Sequence, residues 1–320
     1  MKIFIAGASG FLGSAVTKEL ANRGHNVIGL VRTGEDKPLK QKGVNYLTGD
    51  LLESGEWCDR IREVDKVISL ISPLNSSEKI PKDKVETYSR KHTEEVANLI
   101  KAASDGSANT VVATFHTDCY GNRHGKWASD ADAVDPIGYC RPIEGSLKVV
   151  DQLAEETELN VIRVFPAMVY GSGGWFKGLI EALKAGKARL VEPGDNYLNL
   201  IHIDDVAGLY AEIVENVNNS DVFTLSDDRP VTQRTLMSHI TALMGLPEPK
   251  MVDFNTYAKE FGLLQAESMS SSTRVSGIRA IDMFGYAMKA RSYEQGVLMT
   301  LKSMGVEVSK EAIEKLLKAA

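Results

Sequence analysis

The first thirteen residues, MKIFIAGASGFLG, constrain the fold more than any other stretch of the chain. Lys2 to Ala6 is a short apolar run rich in β-branched residues, which is typical of a strand buried on both faces. Gly7, Gly10 and Gly13 follow at three-residue spacing, and an apolar pattern of helical period then runs from Ser14 to Arg23. The order strand, glycine-rich turn, helix predicts the start of a doubly wound α/β domain.

Each glycine of this turn has its own use in such a motif. Gly7 permits the tight turn, Gly10 lets the backbone approach a pyrophosphate, and Gly13 lets the helix lie close to the strand. The first N–H groups of the helix and the positive end of its dipole then face the anion. A plain β-turn-α connection is the alternative. We predict that a dinucleotide contacts six residues of this loop: Gly7, Ser9, Gly10, Phe11, Leu12 and Gly13.

Charge and cysteine content exclude several classes of protein. The net charge of -6 gives no general attraction to nucleic acid or to an anionic membrane, and no apolar run is long enough to span a bilayer. Cys58, Cys119 and Cys140 are too scattered for a disulfide framework or a zinc site, so we expect no metal. The chain enters a strand without a signal-peptide pattern, and we expect a reducing, cytoplasmic location.

Strands alternate with helices through the first half of the chain, which is typical of a parallel sheet covered on both faces. We predict strands at residues 26–31, 44–47, 64–71, 110–115 and 160–165, and helices at 84–103 and 145–156, the second beginning near Pro142.

The pattern becomes looser beyond Pro166. We predict helices at 175–185, 204–215 and 232–244, with Thr232 as an N-cap, and strands at 198–203 and 222–225. We expect residues 1–166 and 198–225 to form a dinucleotide-binding domain with the Rossmann topology. Residues 167–197 and 226–320 are expected to form a smaller, mixed C-terminal lobe that binds the substrate over the C-terminal ends of the strands.

The residues that end the second strand bear on the choice of dinucleotide. This strand end reaches the adenosine ribose in a doubly wound sheet, where a carboxylate would bind a free 2′-hydroxyl and repel a 2′-phosphate. The chain has Val31 and Arg32 there, and arginine forms charge-assisted bonds with phosphate. We therefore predict NADP(H) in preference to NAD(H), which stays possible if Arg32 is only a solvated charge in a loop.

Several motifs together resemble one known family. They are GASGFLG at 7–13, GDL at 49–51, a strand leading into Tyr120-Gly121, RVFPAMVYG at 163–171, LIHIDDVA at 200–207 and a tail at 276–296. This set is similar to the extended short-chain dehydrogenase/reductase family, also called the NAD-dependent epimerase/dehydratase family. The resemblance implies a homodimer formed through the helices at 84–103 and 142–156. It also implies further cofactor contacts at Asp50, Leu51, Ile71, Ser72, Pro73, Tyr139 and Pro166.

The catalytic positions of that family are altered in this chain. The family combines a Ser or Thr with Tyr-x-x-x-Lys, but here the tyrosine position is Tyr139 and the lysine position falls on Ile143. The serine position falls on His116, with Thr117 beside it, and the helix asparagine of the family corresponds to His92. No Tyr-x-x-x-Lys occurs in the 320 residues.

These substitutions have a predictable chemical effect. Without the lysine, a tyrosine of pKa ~10 is a poor base at neutral pH, but it can still donate a proton to a carbonyl that receives hydride. A histidine of pKa ~6.5 can exchange a proton without help, and Asp118, two residues further on, shares a face with His116 and can orient it only if the strand continues. Alternatively, His116 is a structural histidine and Tyr139 only packs against the nicotinamide. A thiol nucleophile at Cys119 or Cys140 lacks a cationic neighbour in sequence.

Three functions are therefore open at this point. The first is an NADP(H)-dependent oxidoreductase that acts on a small-molecule substrate with His116, Tyr139 and Thr117 at the catalytic positions. The second is a nucleotide-sugar epimerase or dehydratase with tightly held NAD, and the third is a non-catalytic NADP(H)-binding sensor or scaffold. We favour the first, because a complete cofactor motif accompanies titratable residues at the catalytic positions.

Overall fold

The computed structural model describes residues 1–32, 41–72, 81–311 and 313, so Pro73 lies outside the described residues. The strands in chain order are β1 (Lys2–Ala6), β2 (Asn26–Val31), β3 (Val44–Thr48), β4 (Lys66–Ser69), β5 (Thr110–Thr114), β6 (Trp127–Ala128), β7 (Asn160–Pro166), β8 (Met168–Tyr170), β9 (Arg189–Val191), β10 (Tyr197–Leu198), β11 (Leu200–His202), β12 (Asp221–Leu225), β13 (Val231–Thr232), β14 (Lys250–Val252) and β15 (Arg274–Val275). The helices are α1 (Phe11–Asn22), α2 (Glu56–Ile61), α3 (Val85–Ser104), α4 (Glu144–Glu156), α5 (Gly174–Lys184), α6 (Ile203–Asn216), α7 (Gln233–Met244), α8 (Phe254–Phe261), α9 (Leu263–Ser270), α10 (Ile278–Phe284) and α11 (Tyr293–Ser303).

Seven parallel strands form the main sheet in the order β12-β7-β5-β4-β1-β2-β3. The chain moves outward from β1 in one direction through β2 and β3, and then returns to β4 on the other side. This reversal confirms the predicted doubly wound Rossmann fold, and it opens a crevice at the carboxyl ends of β1 and β4. Ala6 lies opposite Leu30 of β2 and Ser69 of β4, so the loops that follow these strands leave the sheet side by side.

Helices cover both faces of this sheet. Successive side chains of a strand point to opposite faces, and in the central strands they are apolar on both. Phe4 of β1 belongs to the cluster that packs under α3 and α4, whereas Ile3 and Ile5 belong to the cluster under α1 and α6. All three side chains are fully buried, and each contributes about 1.5–3 kcal/mol by burial. The strands that position the site are therefore held firmly on both faces.

A separate apolar cluster forms the core of the smaller lobe, with residues from α5, α7, β9 and α11. Short two-stranded pairs lie outside the main sheet, among them β8 with β11 and β9 with β14. In the described part of the chain, no helix is long and apolar enough to cross a membrane.

The predicted strand at 198–203 is wrong in its extent. Two short strands, β10 and β11, replace it and pair outside the main sheet. Asn199 separates them, since its side chain accepts the N–H of Val275 at 2.8 Å and donates to the carbonyl of Thr273 at 2.7 Å. These bonds attach the segment to the start of β15 and leave no continuous ladder.

Other predicted elements are confirmed with changed bounds. The strand predicted at 64–71 is only β4, and Pro142 lies inside a 3₁₀ turn at Gly138–Ile143 that precedes α4. Thr232 is the N-cap of α7, as predicted, and accepts the N–H of Thr235 at 3.2 Å. The six-residue helix α2 was not predicted, because it is too short to show a helical period.

Candidate active site

The glycine turn after β1 packs tightly against the residues that follow β4. Gly7 has φ 82°, a conformation that side chains rarely adopt, and a Cβ there would lie 2.6 Å from the carbonyl oxygen of Leu70. A Cβ on Gly13 would overlap the carbonyl oxygen of Gly7. Both positions therefore require glycine for the turn to form at all.

Gly10 differs, because the protein itself leaves room beside it. It is exposed, and a Cβ there would meet nothing closer than the carbonyl oxygen of Gly7 at 3.4 Å. Gly10 is the N-cap of α1 and offers no side-chain cap, and the first turn of the helix carries no acidic residue. The N–H groups at this helix end are thus open to an anionic ligand, and they are the groups that could hold the diphosphate of a dinucleotide.

Phe11 takes part in this loop through its backbone. Its ring packs against the loop that leads into α5, since a Cβ on Gly173 or Gly174 would lie 2.9 Å from ring carbons of Phe11. The glycine turn is thereby joined to the smaller lobe. Ser9 and Leu12 are partly buried.

Arg32 and Asp50 follow β2 and β3 at the edge of the sheet where the crevice opens. Arg32 is exposed, and its Nη2 lies 3.4 Å from the carbonyl oxygen of Ser72, which places the guanidinium across the mouth between β2 and β4. Asp50 accepts the N–H of Leu52 at 2.9 Å through Oδ1. The Leu51 side chain is buried in the core, so only its backbone can face a ligand.

His92 forms a hydrogen bond with the backbone that follows β4, beside this crevice. Its Nδ1 lies 2.6 Å from the hydroxyl of Ser146, and its Nε2 lies 3.3 Å from the carbonyl oxygen of Ile71. Burial lowers the pKa of His92 to about 4, against a smaller opposing effect of the Ile71 carbonyl, and the positive charge of Arg32 lowers it further. His92 is therefore neutral and fixes the backbone that follows β4.

His116 follows β5 and faces the side chain of Asp118 across a 3₁₀ turn at Thr117–Tyr120. Its Nδ1 lies 3.3 Å from Oδ1 of Asp118 and 3.1 Å from the backbone nitrogen of that residue. A neutral ring accepts the backbone N–H at Nδ1, whereas an imidazolium donates Nδ1–H to the carboxylate. In both cases Nε2 carries a hydrogen.

The pair also shifts the pKa of each partner. Burial lowers the pKa of His116, but the charge of Asp118 and its hydrogen bond outweigh burial and raise it above the ordinary value. Burial raises the pKa of Asp118, but His116 and a bond from Ser268 bring it below its usual range. The carboxylate of Asp118 thus favours the protonated form of the His116 ring.

Tyr139 lies in the 3₁₀ turn before α4 and is covered by α9. Its hydroxyl donates to Oε1 of Gln265 at 3.2 Å, and its backbone N–H donates to the hydroxyl of Ser268 at 3.1 Å. Burial raises the pKa of Tyr139 to about 12, and the negative charge of Asp118 adds to the effect. The phenol is therefore neutral across the physiological range.

Ser268 connects the two turns. Its hydroxyl donates to Oδ2 of Asp118 at 2.6 Å while it accepts the N–H of Tyr139. Gly138 allows this contact, because a Cβ there would overlap the Ser268 hydroxyl. The structure thus brings His116 and Tyr139 into one network. Neither Gln265 nor Ser268 was identified from sequence, since α9 carries no motif.

The other residues that the sequence analysis singled out around the site are buried. Ile143 packs in the core under α3 and α4, and Thr117 is 4% exposed. Pro166 is buried at the end of β7. Burial raises the pKa of Cys140 well above its ordinary value, and its Sγ lies 3.8 Å from the carbonyl oxygen of His116, so this thiol is inert. Within the described residues, no three His, Cys, Asp or Glu side chains form a group that could hold a metal.

Comparison with known proteins agrees with this fold. A sequence model of the NAD dependent epimerase/dehydratase family matches residues 3–225. The chain belongs to this family.

Two curated relatives are reductases. The 3-diazoavenalumate denitrifying reductase of a Streptomyces species is 24% identical over 93% of this chain and 99% of its own length. The 2-alkyl-3-oxoalkanoate reductase of Stenotrophomonas maltophilia is 24% identical over 80% of each chain.

Among solved structures, a human epimerase family protein with NADPH has a TM-score of 0.77 at 17% identity, over 94% of this chain and 99% of its own. MoeE5 in complex with UDP-glucose and NAD has a TM-score of 0.77 at 21% identity, over 94% of this chain and 98% of its own. Family and relatives together support a nicotinamide-dependent epimerase, dehydratase or reductase activity.

Replacing Gly10 with alanine tests the diphosphate cradle. The variant should fold with unchanged stability, since the methyl group meets no protein atom closer than 3.4 Å, but the affinity for dinucleotide should fall at least about tenfold. Calorimetric titration with NADPH measures the loss. Gly178→Ala in α5, where a Cβ has open space, is the matched control. Equal binding by both variants would contradict the assignment of the cradle.

Replacing Asp118 with asparagine tests the ion pair. Burial would then act without the carboxylate, so the pKa of His116 should fall below ~6.5. NMR titration of the histidine ring protons measures it, with His116→Gln assigning the signal. Because the folded pKa of His116 is raised, the pair stabilises the fold fully below ~6.5 and loses this effect as pH rises through the folded pKa. A pKa unchanged by the substitution would show that Asp118 does not hold the imidazolium.

Proposed function

We propose that the protein is an NADP(H)-dependent reductase of a small-molecule carbonyl compound. The observation that carries this proposal is the hydrogen-bond network that joins the ring of His116 to Tyr139 through Asp118 and Ser268, in which burial raises the pKa of Tyr139 to about 12 and so keeps its phenol protonated at neutral pH. In carbonyl reduction the carbon accepts hydride, and the carbonyl oxygen must receive a proton from a nearby donor. A reduced nicotinamide, when bound, supplies that hydride. The raised pKa of Tyr139 therefore favours reduction.

Each residue has a distinct role in this proposal. Tyr139 donates its hydroxyl proton to the oxygen that becomes an alcohol. His116 lies in the same network and, when protonated, supplies the positive charge that the lysine position, now Ile143, does not provide. Asp118 holds the ring by Nδ1, which leaves Nε2–H to bind a substrate oxygen. Thr117 is assigned no contact with substrate, since its side chain is buried.

The same chemistry makes an epimerase or dehydratase a weaker candidate. An epimerase of this kind must first oxidise an alcohol, which requires a base. A phenol with a pKa of about 12 is ionised in roughly one molecule in 10⁵ at pH 7. The relatives named as reductases also support reduction, and the name of one of them specifies a 3-oxoalkanoate as the substrate.

The proposed preference for NADPH rests on Arg32. Replacing Arg32 with alanine should lower the affinity for NADPH at least about tenfold and change that for NADH by less than about threefold, because only NADPH has the 2′-phosphate. Fluorescence titration with each dinucleotide measures this ratio. Arg62→Ala, an exposed arginine at the end of α2, should leave both affinities unchanged. A loss that is equal for the two dinucleotides would contradict the preference.

Turnover tests the function directly. With NADPH and a panel of ketones and aldehydes that includes 3-oxo acids, we expect oxidation of NADPH that Tyr139→Phe lowers at least about a hundredfold and His116→Gln at least about tenfold. Tyr46→Phe removes a hydroxyl outside the site and should have no effect. NADPH binding without turnover across the panel would instead support a sensor. Full activity of Tyr139→Phe would overturn the assigned roles.

A further inference from the structure

Helix α9 places a carboxamide directly on the hydroxyl of Tyr139. Oε1 of Gln265 accepts a hydrogen bond from this hydroxyl at 3.2 Å. Nε2 of Gln265 lies 3.4 Å from the hydroxyl of Tyr257 in α8. Two further contacts fix the helix over the turn: Tyr139 N–H to Ser268, and an ion pair between Arg141 and Glu267 at 2.7 Å. Gln265 is therefore held at a constant position relative to the phenol.

The surroundings of Tyr139 disfavour a phenolate. Burial and the charge of Asp118 both raise its pKa, and the phenol of Tyr257 also lies close by. Ile143, at the lysine position, brings no charge. When Tyr139 gives its proton to a substrate alkoxide, a negative oxygen remains on the ring and needs a hydrogen-bond donor. The group already in contact with that oxygen is Gln265.

A carboxamide can serve both states of the phenol. The amide oxygen accepts a hydrogen bond from the neutral hydroxyl. A rotation of the amide group by half a turn brings Nε2–H to the same position, because the oxygen and the NH₂ group are nearly equal in size. A hydrogen bond to a charged acceptor is stronger than one between neutral groups. The amide would thus stabilise the phenolate more than the phenol.

We propose that Gln265 is a positioning residue that takes over part of the task of the absent lysine. It holds the neutral hydroxyl of Tyr139 by Oε1 and donates Nε2–H to the phenolate once the proton has moved from Tyr139 to the alkoxide oxygen of the product. The proton of the phenol is restored from water. This inference rests on the proposed reductase function.

The sign of one pKa change tests this role. A carboxamide that donates to the phenolate lowers the pKa of Tyr139, so Gln265→Leu should raise that pKa. If Gln265 only accepted the phenol proton, or only held the helix in place, the same substitution would lower the pKa or leave it unchanged. A fluorinated tyrosine at position 139 brings the titration to a pH at which the protein is folded, and ¹⁹F NMR follows it in the absence of substrate.

Three variants complete the experiment. Gln265→Leu should raise the pKa at position 139 and, with the natural tyrosine, lower kcat at least about tenfold while KM changes less than about threefold. Gln265→Met also removes the amide donor and should raise the pKa in the same way, and it is the alternative if the leucine variant does not fold. Glu267→Gln weakens the ion pair on the same helix without touching Gln265, and it should change both quantities much less than Gln265→Leu does.

The outcomes separate this inference from the proposed function. If Tyr139→Phe abolishes turnover but Gln265→Leu lowers the pKa or leaves it unchanged, the role of Gln265 is wrong and the reductase stands. If Tyr139→Phe keeps full turnover, the reductase mechanism itself fails, whatever the titration shows. An equal pKa change in Glu267→Gln and Gln265→Leu would reduce Gln265 to a packing contact.

Discussion

The alignment of parallel strands in the main sheet is the constraint on which the rest of the structure depends. Because the strands run in one direction and in fixed register, the residues that follow them emerge along one edge. That edge carries Gly7 after β1, Arg32 after β2, Ile71 after β4 and His116 after β5. A shift of one residue in any strand would turn its side chains to the opposite face and destroy both core clusters. The apolar packing on the two faces therefore also positions the polar groups of the site.

The electrostatics of the site follow from Ile143, which stands where the resembled family has a lysine, and from the uncharged or titratable groups that surround Tyr139 instead. An ammonium group beside a phenol stabilises the phenolate, and Ile143 removes that effect. The structure instead provides the ring of His116, whose Nδ1 lies 3.3 Å from Oδ1 of Asp118, and a neutral carboxamide from α9. Burial and the negative charge of Asp118 keep Tyr139 protonated near neutral pH, which is the state that the proposed reduction requires of a proton donor.

The parts of the site that could be predicted from sequence were those encoded locally. The strand, glycine turn and helix at the start of the chain were predicted because each signal lies within a few residues of the next. The strand expected at 198–203 failed at Asn199, whose side chain bonds to residues about 75 positions away. Gln265 and Ser268 could not be found in this way, since they lie 126 and 129 residues from Tyr139 and only the packing of the smaller lobe brings them together.

The most direct measurement of the central claim is a crystal structure of the protein with NADP⁺ and a product alcohol. The claim predicts the diphosphate over Gly10 and the hydroxyl of Tyr139 within hydrogen-bond distance of the alcohol oxygen, with the ring of His116 facing the same pocket. A dinucleotide bound elsewhere, or a phenol and an imidazole that both point away from the nicotinamide, would contradict it.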